Sequence, residues 1–566
     1  FVISFNGEIY NFKDLKKDLK EKKIKFHNNS DTQVLLEVLS YYGVENGIKK
    51  VNGMFSFALW DRKDKFLYLV SDRLGKKPLY WSNIDGNIIF GSELKSLMSF
   101  CIFKKEINKS SLQNFLQFSY INAPDTIFKN TYKIEPASII RFNKNKEIKK
   151  STYWNFTFNI DKHYELNNDK IGKIEKVNEL LEDSVSKRLV SDVPVGVMLS
   201  GGIDSSLVAA IAQKKSSKKI NTYCIGFKNK GFDESRYAKK ISDILSTSHN
   251  EFILDDYSVE NLIEKIPLYY DEPFADSSQI PSMIISNELK KKVTVCLTGD
   301  GGDEVFGGYA RYVWANKFSR ICNIFPLHLR NLASKILNTF PTEKINKFNE
   351  LFSTSLLPTQ LGDRIKKIGK ILLSKSNYEI YIKLITQMED KVLLNQTDLH
   401  SHQEEIIFLK KNISEAMQIM DFKNYLPGDI LTKIDRASMA SSLELRSPLL
   451  DYRLIEFSFN NLNLKDKINK NKGKYILRKI LKNYIPENLI NRPKMGFAIP
   501  LSRWLRGRLK NWMCDTLNLN KIKSQNILNY KLVGTMVEDH IKSNRNCHHE
   551  LWNILMFQIW FDKWMR

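Results

Sequence analysis

Hydrophobic and polar positions follow two different rhythms along this chain, and the change falls near residue 170. Before it, short apolar runs bounded by polar turns predict strands at the start of the chain and at 54–60, 66–71, 88–90 and 138–142. Helical periodicity appears at 12–20 and 33–42. Strands with helices outside them indicate a layered α+β domain.

From about residue 171 the pattern alternates between helix and strand. It predicts a helix at 174–189, a strand at 195–199, a helix from Ser205, a strand at 222–227, a helix from Asp233 and strands at 251–254 and 293–297. This order indicates a doubly wound parallel sheet. Beyond Tyr309 the pattern is largely helical, and the polar stretch 159–170 predicts a linker. We therefore expect an α/β multidomain protein with domains at 1–157 and 171–566.

Composition narrows the classes of function. The chain has 566 residues, of which 42% are hydrophobic, and 87 Lys and Arg against 63 Asp and Glu give a net charge of +24. The lysines lie in short runs over the whole chain, whereas a nucleic-acid protein more often gathers them on one stripe with aromatic residues. The six cysteines form no CxxC pair, and no apolar stretch is long enough for a membrane span. We expect a cytoplasmic protein with no nucleic-acid or membrane partner.

The motif most suggestive of chemistry is LSGGIDSS at 199–206, between a predicted strand and a helix. Paired glycines allow backbone N–H groups to approach an anion, and the helix N-terminus adds favourable partial charge. It is not a Walker A loop, because no Lys precedes the final Ser. Asp204 would repel bound phosphates unless a divalent cation lay between them, so we infer Mg²⁺.

A second Gly-rich turn follows the strand at 293–297. It reads TGDGGDE at 298–304, and its acids would repel one another without a cation nearby. A single turn of this kind would be interpreted as an ordinary capped strand-to-helix connection. Two such turns at the ends of strands of one sheet favour a nucleotide site.

Together these turns resemble a known family. LSGGIDSS resembles the pyrophosphatase loop of the ATP pyrophosphatases, and with LTGDGGDEVFGGY at 297–309 and DILTKIDRASMASSLELRSPLLD at 429–451 it resembles the synthetase domain of B-type, glutamine-hydrolysing asparagine synthetases. The resemblance implies an ATP site formed by Leu199, Ser200, Gly201, Gly202, Asp204, Ser205, Ser206, Ile225, Thr298 and Gly299. It implies Mg²⁺ on Asp204 and Asp303.

The same resemblance assigns three further residues to the synthetase site. Asp300 corresponds to an acid that helps to arrange the intermediate and ammonia, and Lys474, in GKYILR, to a lysine that contacts the reacting phosphate. Arg446 is expected near the substrate. Without the resemblance, Lys474 would be interpreted as one more exposed helix lysine.

The first domain resembles the class II glutamine amidotransferases. FNGEIYN at 5–11 is similar to their glutamine-binding segment, which implies an Ntn-hydrolase fold of αββα layers. Asn6 and Gly7 would form the oxyanion hole, and Asn6, Glu8 and Asp31 would bind glutamine. Taken alone, Asn6-Gly7 would be interpreted as a hairpin turn and Asp31 as a helix cap.

The resemblance fails at one point. The family's nucleophile is an N-terminal Cys whose α-amino group serves as base, and the sequence begins at Phe1. We expect an upstream segment with this Cys and the family's glutamine-binding Arg to be missing. The chain as given is not expected to hydrolyse glutamine.

The resemblance implies a ligase that makes asparagine from aspartate, ATP and glutamine or ammonia, through a β-aspartyl-AMP intermediate, with release of AMP and diphosphate. One alternative is a related amidotransferase that acts on another carboxylate, such as a cell-surface sugar acid; a β-lactam synthetase fits less well because FNGEIYN is intact. A tRNA-modifying enzyme with the same loop is a remote alternative. The sequence leaves a homodimer open.

Overall fold

The computed structural model describes residues 1–145, 147–155, 169–227, 235–254, 259–339, 345, 361–389, 392–394, 402–491 and 499–566. The predicted linker at 159–170 lies outside these ranges except for its last two residues. The helix expected from Asp233 is described from Ser235 onward.

The first part of the chain contains eight strands and five helices in the described ranges. The strands are β1 (Val2–Ile9), β2 (Gly53–Trp60), β3 (Leu67–Ser71), β4 (Tyr80–Ile84), β5 (Asn87–Gly91), β6 (Thr131–Lys133), β7 (Ser138–Phe142) and β8 (Ile148–Thr152). The helices are α1 (Phe12–Glu21), α2 (Asp31–Tyr42), α3 (Val44–Lys50), α4 (Leu94–Met98) and α5 (Lys109–Phe118).

These elements form the four αββα layers that the resemblance implied. One antiparallel sheet has the order β1-β2-β3-β7-β8, and a smaller one has the order β5-β4-β6. Helices α1 to α3 bury Leu19 and Val38 against one face of the larger sheet. Trp81 and Ile140 pack between the two sheets. Helix α4 packs on β4 and β5 of the smaller sheet, and α5 belongs to the same hydrophobic cluster as Tyr80 and Leu94, so the fold class is confirmed.

The second part begins with alternating helices and strands. In order they are α6 (Lys170–Leu189), β9 (Val195–Met198), α7 (Ile203–Lys215), β10 (Asn221–Phe227), α8 (Ser235–Leu245), β11 (Ser248–Leu254), α9 (Val259–Ile263), α10 (Ile266–Tyr270), α11 (Gln279–Lys290), β12 (Val295–Leu297) and α12 (Gly302–Phe306). The parallel sheet has the order β11-β10-β9-β12-β13, where β13 is Glu444–Arg446. The sequence analysis did not predict β13.

The order of the strands reverses between β9 and β12. The chain runs outward from β9 to β11 and then returns to place β12 on the other side of β9. Ligands of doubly wound sheets bind at such a switch point, beyond the carboxyl ends of the strands. Both Gly-rich turns emerge there.

The remainder is helical, as predicted. It begins with α13 (Ala310–Ile324) and α14 (Leu327–Thr339) and continues with Leu361–Leu372, Asn377–Ile385, His402–Lys410, Ile413–Met420, Thr432–Met439, Tyr452–Asn461, Leu464–Lys467, Tyr475–Leu481, Glu487–Ile490, Leu501–Arg506, Lys510–Thr516, Leu519–Gln525, Tyr530–Ile541 and His548–Trp564. Asp421–Leu431 is a π-helix and Pro448–Leu450 a 3₁₀ turn. The last helix buries Trp552, Phe557 and Trp560 in the core. None of the helices in the described ranges is both long and apolar enough to cross a bilayer.

Candidate active sites

The turns after β9 and β12 lie against each other, and both line a cavity of about 620 Å³, which is within the usual volume range for a small-molecule site. Gly201 and Gly301 lie in the left-handed region, at φ +71° and +89°. A Cβ on Gly299 would stand 2.7 Å from the backbone nitrogen of Ser205. Glycine is therefore required where the two turns approach each other.

The first turn offers hydroxyl groups and the N-terminus of α7 to the cavity. Ser200 Oγ and Ser205 Oγ lie 3.0 Å apart, and Gly202 N donates to Ser200 Oγ at 3.3 Å. The buried Ser206 Oγ has no hydrogen-bond partner in the part of the chain that the structure describes. Such a donor beside a helix N-terminus suits an anionic ligand such as a phosphate.

Lys474 holds the two predicted metal-binding carboxylates together. Its Nζ forms an ion pair with Asp204 and lies 2.9 Å from Asp303 Oδ1. Burial lowers the pKa of Lys474, but the two carboxylates outweigh burial and raise it above its usual value. The ammonium is therefore charged at every physiological pH.

The backbone around Lys474 is shaped to bring it there. Lys474 has φ +59°, a left-handed conformation that is uncommon for a residue with a side chain. Its N–H donates to Phe306 O at 3.2 Å, which anchors the turn to α12. A Cβ on Gly308 would overlap both Asp303 and the Lys474 side chain. Strain of this kind is commonly found at functional positions.

The donor set at this point fits Mg²⁺. Magnesium in nucleotide sites is usually held by one or two carboxylates together with substrate phosphates and water. Asp204 and Asp303 converge on one cation, which in this structure is the Lys474 ammonium. Among the described residues no cluster of three or more His, Cys, Asp or Glu offers a self-sufficient metal site.

Thr298, Asp300 and Arg478 complete this end of the cavity. Burial raises the pKa of Asp300, against a hydrogen bond from Thr298 and the charges of Lys433 and Lys76. Arg478, which the sequence analysis did not select, donates to the carbonyls of Gly473 and Ile490 at 2.9 Å.

The cavity wall also carries an ion pair that sequence reasoning missed. Lys433 Nζ lies 2.6 Å from Asp276 Oδ2 and 3.9 Å from Asp429 Oδ1. Burial raises the pKa of Asp276, but Lys433 outweighs it and holds that pKa at about 2. Asp276-Ser277-Ser278 repeats the Asp-Ser-Ser of the first turn, a similarity that would have identified it. Tyr425, from the π-helix, lines the same wall.

Two residues of the ATP site that the resemblance implied, Leu199 and Ile225, are not among the residues that line the cavity. Leu199 is fully buried in the core behind the sheet, and Ile225 packs into the core on its other side. Met198, the last residue of β9, and Ile285 of α11 are among the apolar residues that line the cavity. The roles of Leu199 and Ile225 remain predictions.

In the first part of the chain, Asn6 and Gly7 lie inside β1, not in a hairpin turn. They pair with Ser56 and Phe55 of β2. The Asn6 side-chain amide donates to Ser92 Oγ at 3.2 Å. Gly7 has φ +151°.

Glu8 and Asp31 lie close to each other at the end of β1. Asp31 Oδ2 accepts a hydrogen bond from Ile9 N at 3.0 Å, although Ser30 is the cap of α2. The half-buried Glu8 carboxylate lies 3.3 Å from the guanidinium of Arg446. The structure thus places Arg446 against the glutamine-site candidates, while its neighbour Leu445 lines the nucleotide cavity.

Comparison with known proteins finds a matching family model for each part of the chain. The family model for asparagine synthase matches residues 176–562, and the model for a glutamine amidotransferase domain matches residues 1–154. The chain belongs to the asparagine synthase family. It is an enzyme of the glutamine-hydrolysing asparagine synthetase type.

Individual relatives show how broad this family is. The chain is 32% identical to asparagine synthetase [glutamine-hydrolyzing] 1 of Bacillus subtilis, over 99% of this chain and 85% of the relative. It is 34% identical to a putative asparagine synthetase of Methanocaldococcus jannaschii, over 78% and 82%. It is also 25% identical, over 93% and 81%, to a Gibberella zeae protein named amidase chry2.

Replacing Gly7 with alanine is expected to destabilise the protein by about 2 kcal/mol or more, because the new Cβ would overlap the Met54 carbonyl in the paired strand. Gly43→Ala is the matched control, since Gly43 also has positive φ, at +76°, but opens into free space. Calorimetric melting of both variants measures the difference. If Gly7→Ala and Gly43→Ala melt at the same temperature, the neighbouring strand accommodates the new Cβ and the predicted overlap is absent.

Proposed function

We propose that this enzyme makes asparagine from aspartate, with ATP as the energy source and ammonia from glutamine as the nitrogen source. The observation that carries the proposal is the position of Lys474, between Asp204 and Asp303 at the meeting point of the two Gly-rich turns. We assign the glutamine-binding site to residues 1–157 and asparagine formation to residues 171–566.

The cavity suits the activation of a carboxylate by ATP. A carboxylate accepts ammonia poorly because oxide is a poor leaving group, so it must first be joined to AMP. In our proposal the aspartate β-carboxylate attacks the α-phosphorus, and diphosphate leaves. The turn of Ser200 to Ser206 holds the departing phosphates, and Lys474 offsets the charge that develops on them. Mg²⁺, bound by Asp204 and Asp303, would neutralise further phosphate charge.

The acceptor amino acid is assigned to the wall with Lys433 and Asp276. An α-amino acid carries both an ammonium and a carboxylate, and a buried lysine paired with an aspartate presents a partner for each. Asp300 lines the same cavity, and its carboxyl group interacts with the charge of Lys433. We propose that it orients the intermediate for attack by ammonia.

The proposal is tested by measuring diphosphate release with ATP, Mg²⁺ and ammonium, with and without L-aspartate. Release that depends on aspartate and yields asparagine is the expected result. The use of ammonium makes this assay independent of glutamine hydrolysis. Release that ignores aspartate but responds to another carboxylate, such as a sugar acid, would overturn the assignment of the substrate and leave ATP activation intact.

A further inference from the structure

Arg446 belongs to residues 171–566, the synthetase part of the chain, but its side chain reaches the candidate glutamine site. It ends β13, and its side chain is only 3% exposed. One terminal nitrogen donates to the carbonyls of Arg188 at 3.0 Å and Val190 at 2.7 Å, and Nε donates to Glu444 Oε1 at 2.6 Å. The other terminal nitrogen lies 3.3 Å from Glu8 Oε2.

This set of contacts fixes the guanidinium before any ligand arrives. Three of its hydrogen bonds go to groups of the synthetase part, and none of these depends on Glu8. Because the guanidinium is planar and rigid, those bonds also determine the direction of the edge that faces Glu8. The position of the charge is therefore set by the synthetase part.

Glu8 needs such a partner because its surroundings oppose ionisation. The pKa of Glu8 is raised to about 7, mainly by burial, and Arg446 is the group that opposes this rise. The other charged or titratable groups that face Glu8 are Asp31, Glu444, Asp192 and the phenol of Tyr10. The three acids contribute to the raised pKa together with burial. Arg446 is thus the cation that keeps a usable fraction of Glu8 ionised near neutral pH.

We propose that Arg446 is a positioning residue of the glutamine site, which keeps the Glu8 carboxylate ionised and oriented for the α-ammonium group of glutamine. The inference rests on the proposed role of Glu8 in glutamine binding. It assigns Arg446 to the glutamine site, in addition to the vicinity of the synthetase substrate that the sequence suggested.

The same stretch of chain also contacts the nucleotide cavity. Thr298 N donates to Arg446 O at 2.9 Å, and Thr298 Oγ1 lies 3.2 Å from Ser447 Oγ. Glu8, Arg446 and Thr298 are therefore joined by direct contacts. A consequence is that the glutamine site is complete only when the synthetase part is docked against it.

The test is calorimetric titration of L-glutamine into the protein and into Arg446→Gln and Arg446→Lys, from about pH 6 to about pH 8. In the unsubstituted protein, affinity is expected to rise with pH through about 7, as Glu8 loses its proton. Arg446→Gln is expected to move this midpoint upward by about one pH unit or more, with an affinity loss of about tenfold at the acidic end. Arg446→Lys keeps the charge and should restore most of the midpoint.

The control is Arg141→Gln, which removes an arginine that stacks on Phe66 and is not among the groups that face Glu8. It should leave the midpoint unchanged. If the protein binds glutamine and Arg446→Gln has the same midpoint, the inference is overturned while Glu8 keeps its role. If the protein binds no glutamine, the role of Glu8 fails and the inference fails with it, whereas the ammonium assay still reports on asparagine synthesis.

Discussion

Replacing Lys474 with alanine is expected to lower the rate of diphosphate release by about a hundred- to a thousandfold, the usual cost of removing one preorganised donor from a developing charge. Lys474 is buried, it bridges two carboxylates, and its left-handed backbone directs it into the cavity. The loss should fall mainly on kcat, because the lysine would act on charge that appears as diphosphate leaves.

The control for this experiment is Lys472→Ala. Lys472 precedes Lys474 by two residues, but it is exposed and contacts Asn491 at 3.2 Å. Its removal should leave both kcat and KM for ATP unchanged. A Lys474→Ala variant that keeps its kcat and loses only affinity for ATP would contradict the role in the transition state.

Lys474→Ala also leaves Asp204 and Asp303 without their shared cation. The two carboxylates should then repel each other, and Mg²⁺ should stabilise the variant more than it stabilises the unsubstituted protein. Melting curves with and without Mg²⁺ measure this difference. If Mg²⁺ raises the melting temperature of both proteins equally, the metal does not bind at Asp204 and Asp303.

The two Gly-rich turns could be predicted from the sequence because their conformation depends on neighbouring residues only. LSGGIDSS must form a tight connection in front of a helix, whatever the rest of the chain does, and so must TGDGGDE. The parallel sheet followed from the alternation of helix and strand. The convergence of the two turns then followed from the switch point, which needs no knowledge of side-chain contacts.

Features that depend on contacts between residues distant in the sequence could not be predicted in this way. β13 has only three residues, and it becomes a strand because it pairs with β12, about 150 positions earlier in the chain. Lys433 and Asp276 gain their importance only when the helix Thr432–Met439 meets the segment that precedes α11. Arg446 was expected near the synthetase substrate, but its side chain contacts Glu8 of the candidate glutamine site. The direction of that side chain depends on hydrogen bonds to the carbonyls of residues 188 and 190, which the sequence does not reveal.

The π-helix at Asp421–Leu431 illustrates the same limit. Pro427 lies within it, and a sequence pattern predicts a helix end at such a position. The buried Asp421 accepts hydrogen bonds from Arg311 and from the hydroxyls of Tyr312 and Tyr381. These hydrogen bonds stabilise the start of the π-helix, and the π-helix places Tyr425 in the wall of the cavity.

A second large effect, on stability, is expected for Asp451→Ala. The Asp451 carboxylate accepts hydrogen bonds from Arg188 at 3.1 Å, from Arg453 at 2.9 Å and, across the two parts of the chain, from Asn52 at 3.0 Å. The side chains of Arg188 and Asp451 are each 1% exposed. Removing one partner of a buried pair leaves the other charge without compensation, which costs about 3–5 kcal/mol.

The pH dependence of stability provides a separate test of Asp451. Burial raises its pKa, but Arg188 and Arg453 outweigh burial and hold it below the ordinary value for aspartate. Because the folded-state pKa is the lower one, the stabilisation is complete above about pH 4 and is lost as pH falls further. Asp451→Asn should therefore lose less stability than the unsubstituted protein between about pH 4 and about pH 3.

Glu179→Gln is the control for Asp451, because it removes the acid of an ion pair on α6 whose side chain is 69% exposed. Exposed pairs contribute little, so its unfolding midpoint should hardly change. Denaturant unfolding followed by two probes, tryptophan fluorescence and circular dichroism, measures both variants and shows whether the two parts of the chain unfold together. If Asp451→Ala shifts the midpoint no more than Glu179→Gln does, the buried cluster is not what joins the parts. A large shift with both probes together would show that one buried carboxylate stabilises the whole molecule, and with it the docking on which the contact between Arg446 and Glu8 depends.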